Sequence, residues 1–243
     1  MEHSLAATKP RRIVALLPMK ANSMRVQGKN FRDFCGKPLF SWILETLLQV
    51  EAIDEIVINT DARALLAKHG LVESDRISIR DRKPEICGDH VSMNLVLADD
   101  VAHLPADIYL MTHTTNPLLS AGTIQAALHA FVEAQAKGAA DSLFTVNKIQ
   151  TRFYRSDGSP VNHDPDNLIP TQELEPWFEE NSNLYIFTAD SFAKTSARIG
   201  EHPIMHESPR LESVDIDTSV DWDIAVATAR LIQDQQQAVS LES

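Results

Sequence analysis

Short apolar runs alternate with amphipathic segments along most of this chain. The apolar runs predict strands at residues 13–17, 55–59, 108–111, 142–146 and 184–187. The amphipathic segments predict helices over residues 39–49, 62–68, 93–103, 123–137 and 221–235. Such alternation is typical of a mostly parallel sheet that is covered by helices on both faces. We therefore expect a three-layer α/β fold.

The length suits one domain with an insert. A chain of 243 residues with 44% apolar content can bury one sizeable core, so we predict a single domain over residues 1–243. The periodicity fades between residues 148 and 183, where four prolines stand among Asp, Asn and Gly. Because this stretch is too long for an ordinary loop, we predict an insert there.

Charge and composition exclude several kinds of partner. A net charge of −12 argues against nucleic acid, because binding to a duplex needs a basic surface. No run approaches the roughly 18 apolar residues that span a bilayer, and residues 1–10 lack the apolar core of a signal peptide. We expect a cytoplasmic protein without membrane contact. Cys35 and Cys87 lack the spacing of a zinc site or disulfide framework, so we expect free thiols.

A polar, basic loop follows the first predicted strand. It contains Pro18, Lys20, Asn22, Ser23, Arg25, Gly28, Lys29 and Asn30. Fixed cations and backbone N–H groups at the end of a strand can bind the oxygens of a triphosphate. A solvated basic loop is the alternative, and the spacing alone does not decide between them.

Two aspartates near the C-terminus form a second candidate site. In an extended segment, alternation puts Asp215 and Asp217 on the same side. Paired carboxylates are suitable ligands for Mg²⁺, which one or two carboxylates commonly hold together with substrate phosphates. The alternative is an acidic strand end at which Thr218 or Asp221 caps the next helix, and for Asp221 we favour the cap.

These segments resemble those of the acylneuraminate cytidylyltransferases, relatives of the enzymes that activate sialic acid and Kdo. The positions that match the first family motif are Pro18, Ser23, Lys29, Asn30, Gly36, Lys37, Pro38 and Leu39. Lys20 stands where the family usually has arginine, which keeps the charge but loses the bidentate fork. The family shares the pattern Asp-Ile-Asp-Thr-x-x-Asp, so the resemblance implies that Asp215 and Asp217 coordinate the catalytic metal. It also implies a Rossmann-like nucleotidyltransferase fold.

The resemblance extends to the nucleotide. Arg82, Asp89 and Ser92 match a family segment that lies over the cytosine and ribose. Without the resemblance, we would interpret Arg82 as one exposed cation in the charged run 76–83. Asp61 matches a strand-end aspartate of the family, and an equally good interpretation is the N-cap of the following helix.

The match is weaker where the resemblance places the acceptor. His113 replaces a glutamine, Leu119 replaces an arginine, and Thr171 and Glu179 stand where arginine is common. The acceptor-binding residues that we predict are His113, Thr115, Arg152, Gln172, Asn181 and Tyr185. Arg152 or Arg155 is our candidate for a compensating cation, and each is equally well an ordinary exposed arginine.

Together these residues predict a Mg²⁺-dependent cytidylyltransferase. An oxygen of an acidic acceptor attacks the α-phosphate of CTP and releases pyrophosphate, with Lys20, Lys29 and Asp217 as the catalytic residues. The resemblance favours a 2-keto-3-deoxy sugar acid as acceptor and a homodimer formed through the insert. The alternatives are a small phosphonate acceptor, UTP or GTP in place of CTP, and a nucleotide-binding protein without catalysis.

Overall fold

A computed structural model describes residues 11–21 and 26–242. Within these ranges the chain forms nine strands and six α-helices. They are β1 (Ile13–Leu16), β2 (Asp33–Phe34), β3 (Lys37–Pro38), α1 (Leu39–Gln49), β4 (Glu55–Thr60), α2 (Arg63–Lys68), β5 (Ile77–Asp81), α3 (Met93–His103), β6 (Ile108–Thr112), α4 (Ala121–Ala136), β7 (Ser142–Ile149), β8 (Trp177–Phe187), α5 (Ala189–Thr195), β9 (Pro203–Glu207) and α6 (Ser219–Glu242).

Seven of these strands form one mixed, mostly parallel sheet. Their order is β5-β4-β1-β6-β8-β7-β9. Strands β5, β4, β1 and β6 are parallel to one another. Strand β8 runs antiparallel to both of its neighbours, β6 and β7, while β9 is parallel to β7. Strands β2 and β3 pair separately as a short hairpin.

Apolar side chains of the central strands are buried on both faces of the sheet. Ala15 of β1 belongs to one core cluster with Ile43 of α1 and Phe131 of α4. Its neighbour Val14 belongs to a second cluster with Leu97 of α3. Because successive strand residues point to opposite faces, these two clusters lie on opposite sides of the sheet. The predicted three-layer α/β fold is confirmed.

The two strands of this sheet that the sequence analysis missed lie at its edges, and the short strands β2 and β3 were also missed. Strand β5 alternates buried Ile77 and Ile79 with the partly exposed Ser78 and Arg80, and every residue of β9 is at least partly exposed. An edge strand has only one neighbour and needs fewer apolar residues, so its sequence signal is weak.

The stretch in which we predicted an insert, residues 148–183, lies partly in the sheet. Strand β8 begins at Trp177, which pairs with Ile149 of β7, and Phe178 pairs with Lys148. The first four residues of β8 are exposed, so this two-stranded arm lacks the burial pattern that would have identified it. The excursion from the sheet is therefore limited to residues 150–176.

In the described part of the chain, no helix is long and apolar enough to cross a membrane.

Candidate active site

The loops that carry the predicted phosphate and metal residues meet at one edge of the sheet. Strands β1, β4, β5 and β6 are parallel, so the loops after them leave from the same carboxyl-terminal edge. Ligands of open α/β sheets bind at this edge. The candidate site is therefore formed by segments that follow four different strands, together with residues 214–218 before α6.

The basic loop after β1 is fixed by bonds to the end of β4. The Met19 N–H donates to the Asn59 carbonyl at 3.0 Å, and the Ala21 N–H donates to Asp61 Oδ1 at 2.6 Å. Ala62, rather than Asp61, is the N-cap of α2, so the interpretation of Asp61 as the cap is wrong. Ser23, Asn22 and Arg25, which we predicted to contribute to this loop, lie outside the described residues.

Lys29 connects this loop to the acidic segment near the C-terminus. Its side chain is buried, and Nζ donates to the carbonyl oxygen of Ile216 at 2.5 Å. The same Nζ lies 3.7 Å from Asp217 Oδ1. Gly28, with φ of 61°, begins the 3₁₀ turn Lys29–Phe31 that presents this lysine. Two segments separated by most of the chain are thus joined through one buried cation.

Lys20 and Asn30 contact other parts of the site. Lys20 Nζ forms an ion pair with Asp89 at 3.0 Å, which brings together two of the predicted nucleotide-binding residues. Asn30 donates to the Lys20 carbonyl at 2.8 Å and accepts from the Thr114 hydroxyl at 2.7 Å. Each group of its amide thus has a protein partner, and Asn30 holds the loop in position.

Asp215 and Asp217 form the acidic part of the site. The segment is held against the loop after β6, because the Ile216 N–H donates to the Thr115 carbonyl at 2.9 Å. Burial raises the pKa of Asp215, the negative charge of Asp217 raises it further, and Thr115 and Lys29 lower it. In the described ranges, Asp215 Oδ1 is a buried oxygen without a hydrogen-bond partner. Such an oxygen beside a second carboxylate fits a divalent cation, which prefers hard oxygen ligands.

The protein alone supplies only part of a coordination shell there. Across residues 11–21 and 26–242, no group of three or more His, Cys, Asp or Glu side chains is arranged to hold a metal ion. Mg²⁺ is usually bound by one or two carboxylates together with substrate phosphates, so two aspartates suffice if a nucleotide is present.

Asp221 takes part in capping α6, as the sequence analysis favoured, but the N-cap itself is Thr218 and Asp221 is its partner in the first turn. Its Oδ2 accepts from the Thr218 N–H at 2.7 Å and from the Thr218 hydroxyl at 2.8 Å, and the Asp221 N–H returns a bond of 3.3 Å to that hydroxyl. This reciprocal pattern is a capping box at the start of α6. The bond from the Thr218 hydroxyl lowers the pKa of Asp221.

Arg82 is buried, so the interpretation of this residue as an exposed cation is wrong. Nε donates to Asn59 Oδ1 at 2.9 Å, and Nη2 donates to the Asn59 and Met19 carbonyls at 2.8 and 3.3 Å. Asn59 in turn donates to the buried Asp100 of α3 at 2.8 Å. Burial lowers the pKa of Arg82, although a guanidinium stays protonated in proteins. Arg82 therefore connects the ends of β1 and β4.

Sequence reasoning missed this polar network. Asp100 accepts from Arg80 as well as from Asn59, and it is fully buried. The signal was present, because Asp100 follows Val96 and Leu97 at the spacing of one helix face. A carboxylate on an otherwise apolar helix face requires polar partners.

Three of the predicted acceptor residues lie at the end of the sheet. His113 and Thr115 follow β6, and Tyr185 of β8 pairs with Met111 of β6. Burial raises the pKa of Tyr185 to about 12. Burial, together with the positive charges of Arg198 and Lys29, lowers the pKa of His113 to about 3. His113 is therefore a neutral imidazole at physiological pH. Arg198, which the sequence analysis did not single out, donates to the Tyr185 hydroxyl at 2.9 Å.

Asn181 is placed inside the protein, contrary to its predicted acceptor role. Its amide nitrogen donates to Ser208 Oγ at 2.7 Å and to Asn147 Oδ1 at 3.1 Å, and its oxygen accepts from the Thr145 hydroxyl at 2.8 Å. These bonds stabilise the β-bulge between β7 and β8, where Ser182 has φ of 57°. They leave no group of Asn181 for a ligand.

The two insert residues in the predicted acceptor set contact the insert itself. Arg152 donates from Nη2 to the Ile169 carbonyl at 2.6 Å. Gln172 is exposed in the 3₁₀ turn Thr171–Glu173. Arg155, the other candidate cation, donates to the Pro160 carbonyl at 3.4 Å. The structure does not bring these side chains into contact with His113 or Tyr185.

Both cysteines are free thiols.

The low pKa of His113 predicts a stability effect. The unfolded chain binds a proton at His113 below about pH 6.5, whereas the folded chain does not until about pH 3. Stability is therefore lost as the pH falls through this window. The His113→Gln variant carries the residue of the related family and has no group that titrates at this position. When the pH is lowered from 7 to 5, we expect the unfolding free energy of the wild type to fall by about 2 kcal/mol more than that of the variant.

Denaturant unfolding at the two pH values measures this difference. The exposed His129 offers a matched control, so His129→Gln is expected to lose as much stability as the wild type. Equal losses in His113→Gln and the wild type would contradict a buried, neutral imidazole.

Comparison with known proteins shows that this chain is similar to nucleotidyltransferases. Residues 14–241 match the sequence profile of a family described as cytidylyltransferase. A CMP-N,N'-diacetyllegionaminic acid synthase from Legionella pneumophila is 27% identical, and the alignment covers 94% of this chain and 99% of the relative. A pseudaminic acid cytidylyltransferase from Campylobacter jejuni is 23% identical over 87% of this chain and 94% of the relative.

Solved structures support the fold. A CMP-2-keto-3-deoxy-manno-octonic acid synthetase complexed with CTP superposes with a TM-score of 0.63 at 16% identity. The superposition covers 92% of this chain and 99% of that one. At this identity, the likeness shows a common fold.

Proposed function

We propose, because this chain belongs to the cytidylyltransferase family, that it transfers CMP from CTP to an acidic sugar and releases pyrophosphate. The relatives named above are called legionaminic and pseudaminic acid enzymes, so we take the acceptor to be a sialic-like 2-keto-3-deoxy sugar acid. We also propose that the reaction takes place in the cytoplasm.

The observation that carries the proposal is the contact of Lys29 with the acidic segment. Its Nζ binds the carbonyl of Ile216 and lies 3.7 Å from Asp217, so a cation of the basic loop adjoins the paired carboxylates. A triphosphate needs both kinds of group, since cations neutralise its oxygens and carboxylates hold its metal ion. A protein that only bound a neutral ligand would need neither.

The residues have distinct roles in the proposed reaction. Lys20 and Lys29 neutralise phosphate oxygens, and Asp89 with Ser92 contacts the nucleoside above the buried Arg82. A divalent cation, which we take to be Mg²⁺, would be held by Asp215 and Asp217 and would offset the charge that develops on the phosphates. An acceptor oxygen attacks the α-phosphate in line and the electron pair of the broken P–O bond leaves with pyrophosphate. Positioning and charge neutralisation supply the catalysis, so no nucleophilic side chain is required.

We also propose a homodimer formed through the insert and the arm that carries it. Large apolar side chains are exposed there, among them Tyr154, Leu168, Trp177 and Phe178. Aromatic residues of this kind are enriched where proteins associate.

The proposal predicts pyrophosphate release that depends on both substrates. Wild-type protein with Mg²⁺ is supplied with CTP, UTP or GTP and with N-acetylneuraminate, Kdo, other nonulosonates or small phosphonates, one pair at a time. We expect release with CTP and at least one sugar acid. Release only with phosphonates would overturn the sugar acceptor, and preference for another nucleotide would overturn the assignment of CTP. Binding of CTP without turnover of any acceptor would indicate a nucleotide-binding protein.

A further inference from the structure

Arg198 is a cation beside the proposed acceptor residues. It follows α5, and its positive charge acts on His113 together with that of Lys29. Its guanidinium carbon lies 3.8 Å from the centroid of the Tyr185 ring, which is a cation–π contact. The structure thus places a fixed positive charge next to two of the residues that we assign to the acceptor.

The contacts of Arg198 orient the guanidinium and leave part of it available. Nη2 donates to the Tyr185 hydroxyl at 2.9 Å and lies 3.5 Å from Glu180 Oε1. Within the described residues, Nη2 makes all the hydrogen bonds of this guanidinium, so the hydrogens of Nε and Nη1 have no protein acceptor. The side chain is 21% exposed, which allows a ligand to reach it.

This guanidinium lines a groove of about 320 Å³ between α3 and the loop after α5. Ser92 and Asn94 at the start of α3 form one side, and the Arg198 N–H donates to Asn94 Oδ1 at 3.4 Å across it. Glu180 also lines the groove. Ser92 of the proposed nucleotide site therefore lines the same groove as Arg198, which contacts Tyr185 of the proposed acceptor site.

The other candidate cations lie in the insert. Arg152 and Arg155 bind carbonyl groups of the insert, and Leu119, Thr171 and Glu179 provide no positive charge. An acidic acceptor still requires a cation, because charge-assisted hydrogen bonds are the strong contacts of a carboxylate.

We propose that Arg198 binds the carboxylate of the acceptor, through guanidinium hydrogens that have no protein acceptor. This inference rests on the proposed function, since it names the residue that recognises the acidic group. Tyr185 and Glu180 hold the guanidinium in place, and its planar fork suits a carboxylate in a way that lysine cannot reproduce.

The test is a comparison of Michaelis constants in variants of the full chain. With the sugar acid that the wild type uses, we expect Arg198→Ala to raise the acceptor KM by about 10- to 100-fold. The CTP KM is expected to stay within about twofold. Arg198→Lys should also raise the acceptor KM, and it keeps a charged side chain over Tyr185 if the alanine variant folds poorly. The methyl ester of the same sugar acid should be used equally poorly by the wild type and Arg198→Ala.

Arg12→Ala is the matched control, because Arg12 also pairs with a glutamate, Glu55 at 2.6 Å, but at the opposite edge of the sheet. An unchanged acceptor KM in both Arg198 variants, with a working wild type, would overturn this inference and leave the proposed function intact. A rise in the CTP KM instead would assign Arg198 to the nucleotide and also overturn it. If the wild type turned over no acid at all, the proposed function would fail, and this inference with it.

Discussion

Replacement of Asp215 by asparagine is expected to lower kcat by about 100- to 1000-fold, with only a small change in overall stability. Asparagine has the same shape but cannot supply the negative charge that a divalent cation needs. Burial already raises the pKa of Asp215, which means that the fold disfavours its charged form. The neutral variant should therefore be at least as stable as the wild type, since a charge with a buried, unpartnered oxygen has been removed.

The measurement is steady-state turnover over a Mg²⁺ titration, with denaturant unfolding in parallel. The Mg²⁺ concentration for half-maximal activity should rise in Asp215→Asn, and likewise in Asp217→Asn. Asp223 is an exposed aspartate on the first turns of α6, so Asp223→Asn is the matched control and should behave as the wild type. Near-normal turnover of either Asp215→Asn or Asp217→Asn at saturating Mg²⁺ would show that the metal assignment is wrong.

The parts of the fold that were predictable from the sequence are those with continuous burial. Strands β1, β4 and β6 lie inside the sheet, and their uninterrupted apolar runs identify them. The edge strands and the exposed arm at Trp177 have no such signal, because only one side or neither side of each is covered. Their position in the sheet depends on pairing with distant residues, which local patterns do not encode.

The residues of the candidate site also differ in how well they could be predicted from the sequence. Lys29, Asp215 and Asp217 stand in short segments whose local order of residues already indicates phosphate and metal chemistry. Arg198 stands in no such segment, and the role that we propose for it depends on β8, which places the Tyr185 ring beside it. Without the resemblance, Arg82 looks like an exposed cation in a charged run, and its burial becomes evident only from its bond to Asn59, which in turn binds Asp100.

Replacement of Lys29 is expected to lower activity by a similar factor, but to strengthen the binding of the metal ion instead of weakening it. We expect Lys29→Met to lower kcat/KM for CTP by about 100- to 1000-fold, because a fixed cation is removed from the phosphates. The variant should also lose about 1–3 kcal/mol of unfolding free energy, since the Ile216 carbonyl loses its buried donor. The exposed Lys68 of α2 provides the control variant, Lys68→Met, which should change neither quantity.

The Mg²⁺ titration separates the role of Lys29 from that of the aspartates. Lys29 Nζ lies 3.7 Å from Asp217 Oδ1 and lowers the pKa of Asp215, so its charge competes with a metal ion for these carboxylates. Its removal should therefore strengthen metal binding and shift the half-maximal Mg²⁺ concentration downward. The aspartate variants shift the same quantity upward. If Lys29→Met shifted it upward too, the loss of activity would follow from collapse of the acidic segment, and the assignment of Lys29 to the phosphates would have to be abandoned.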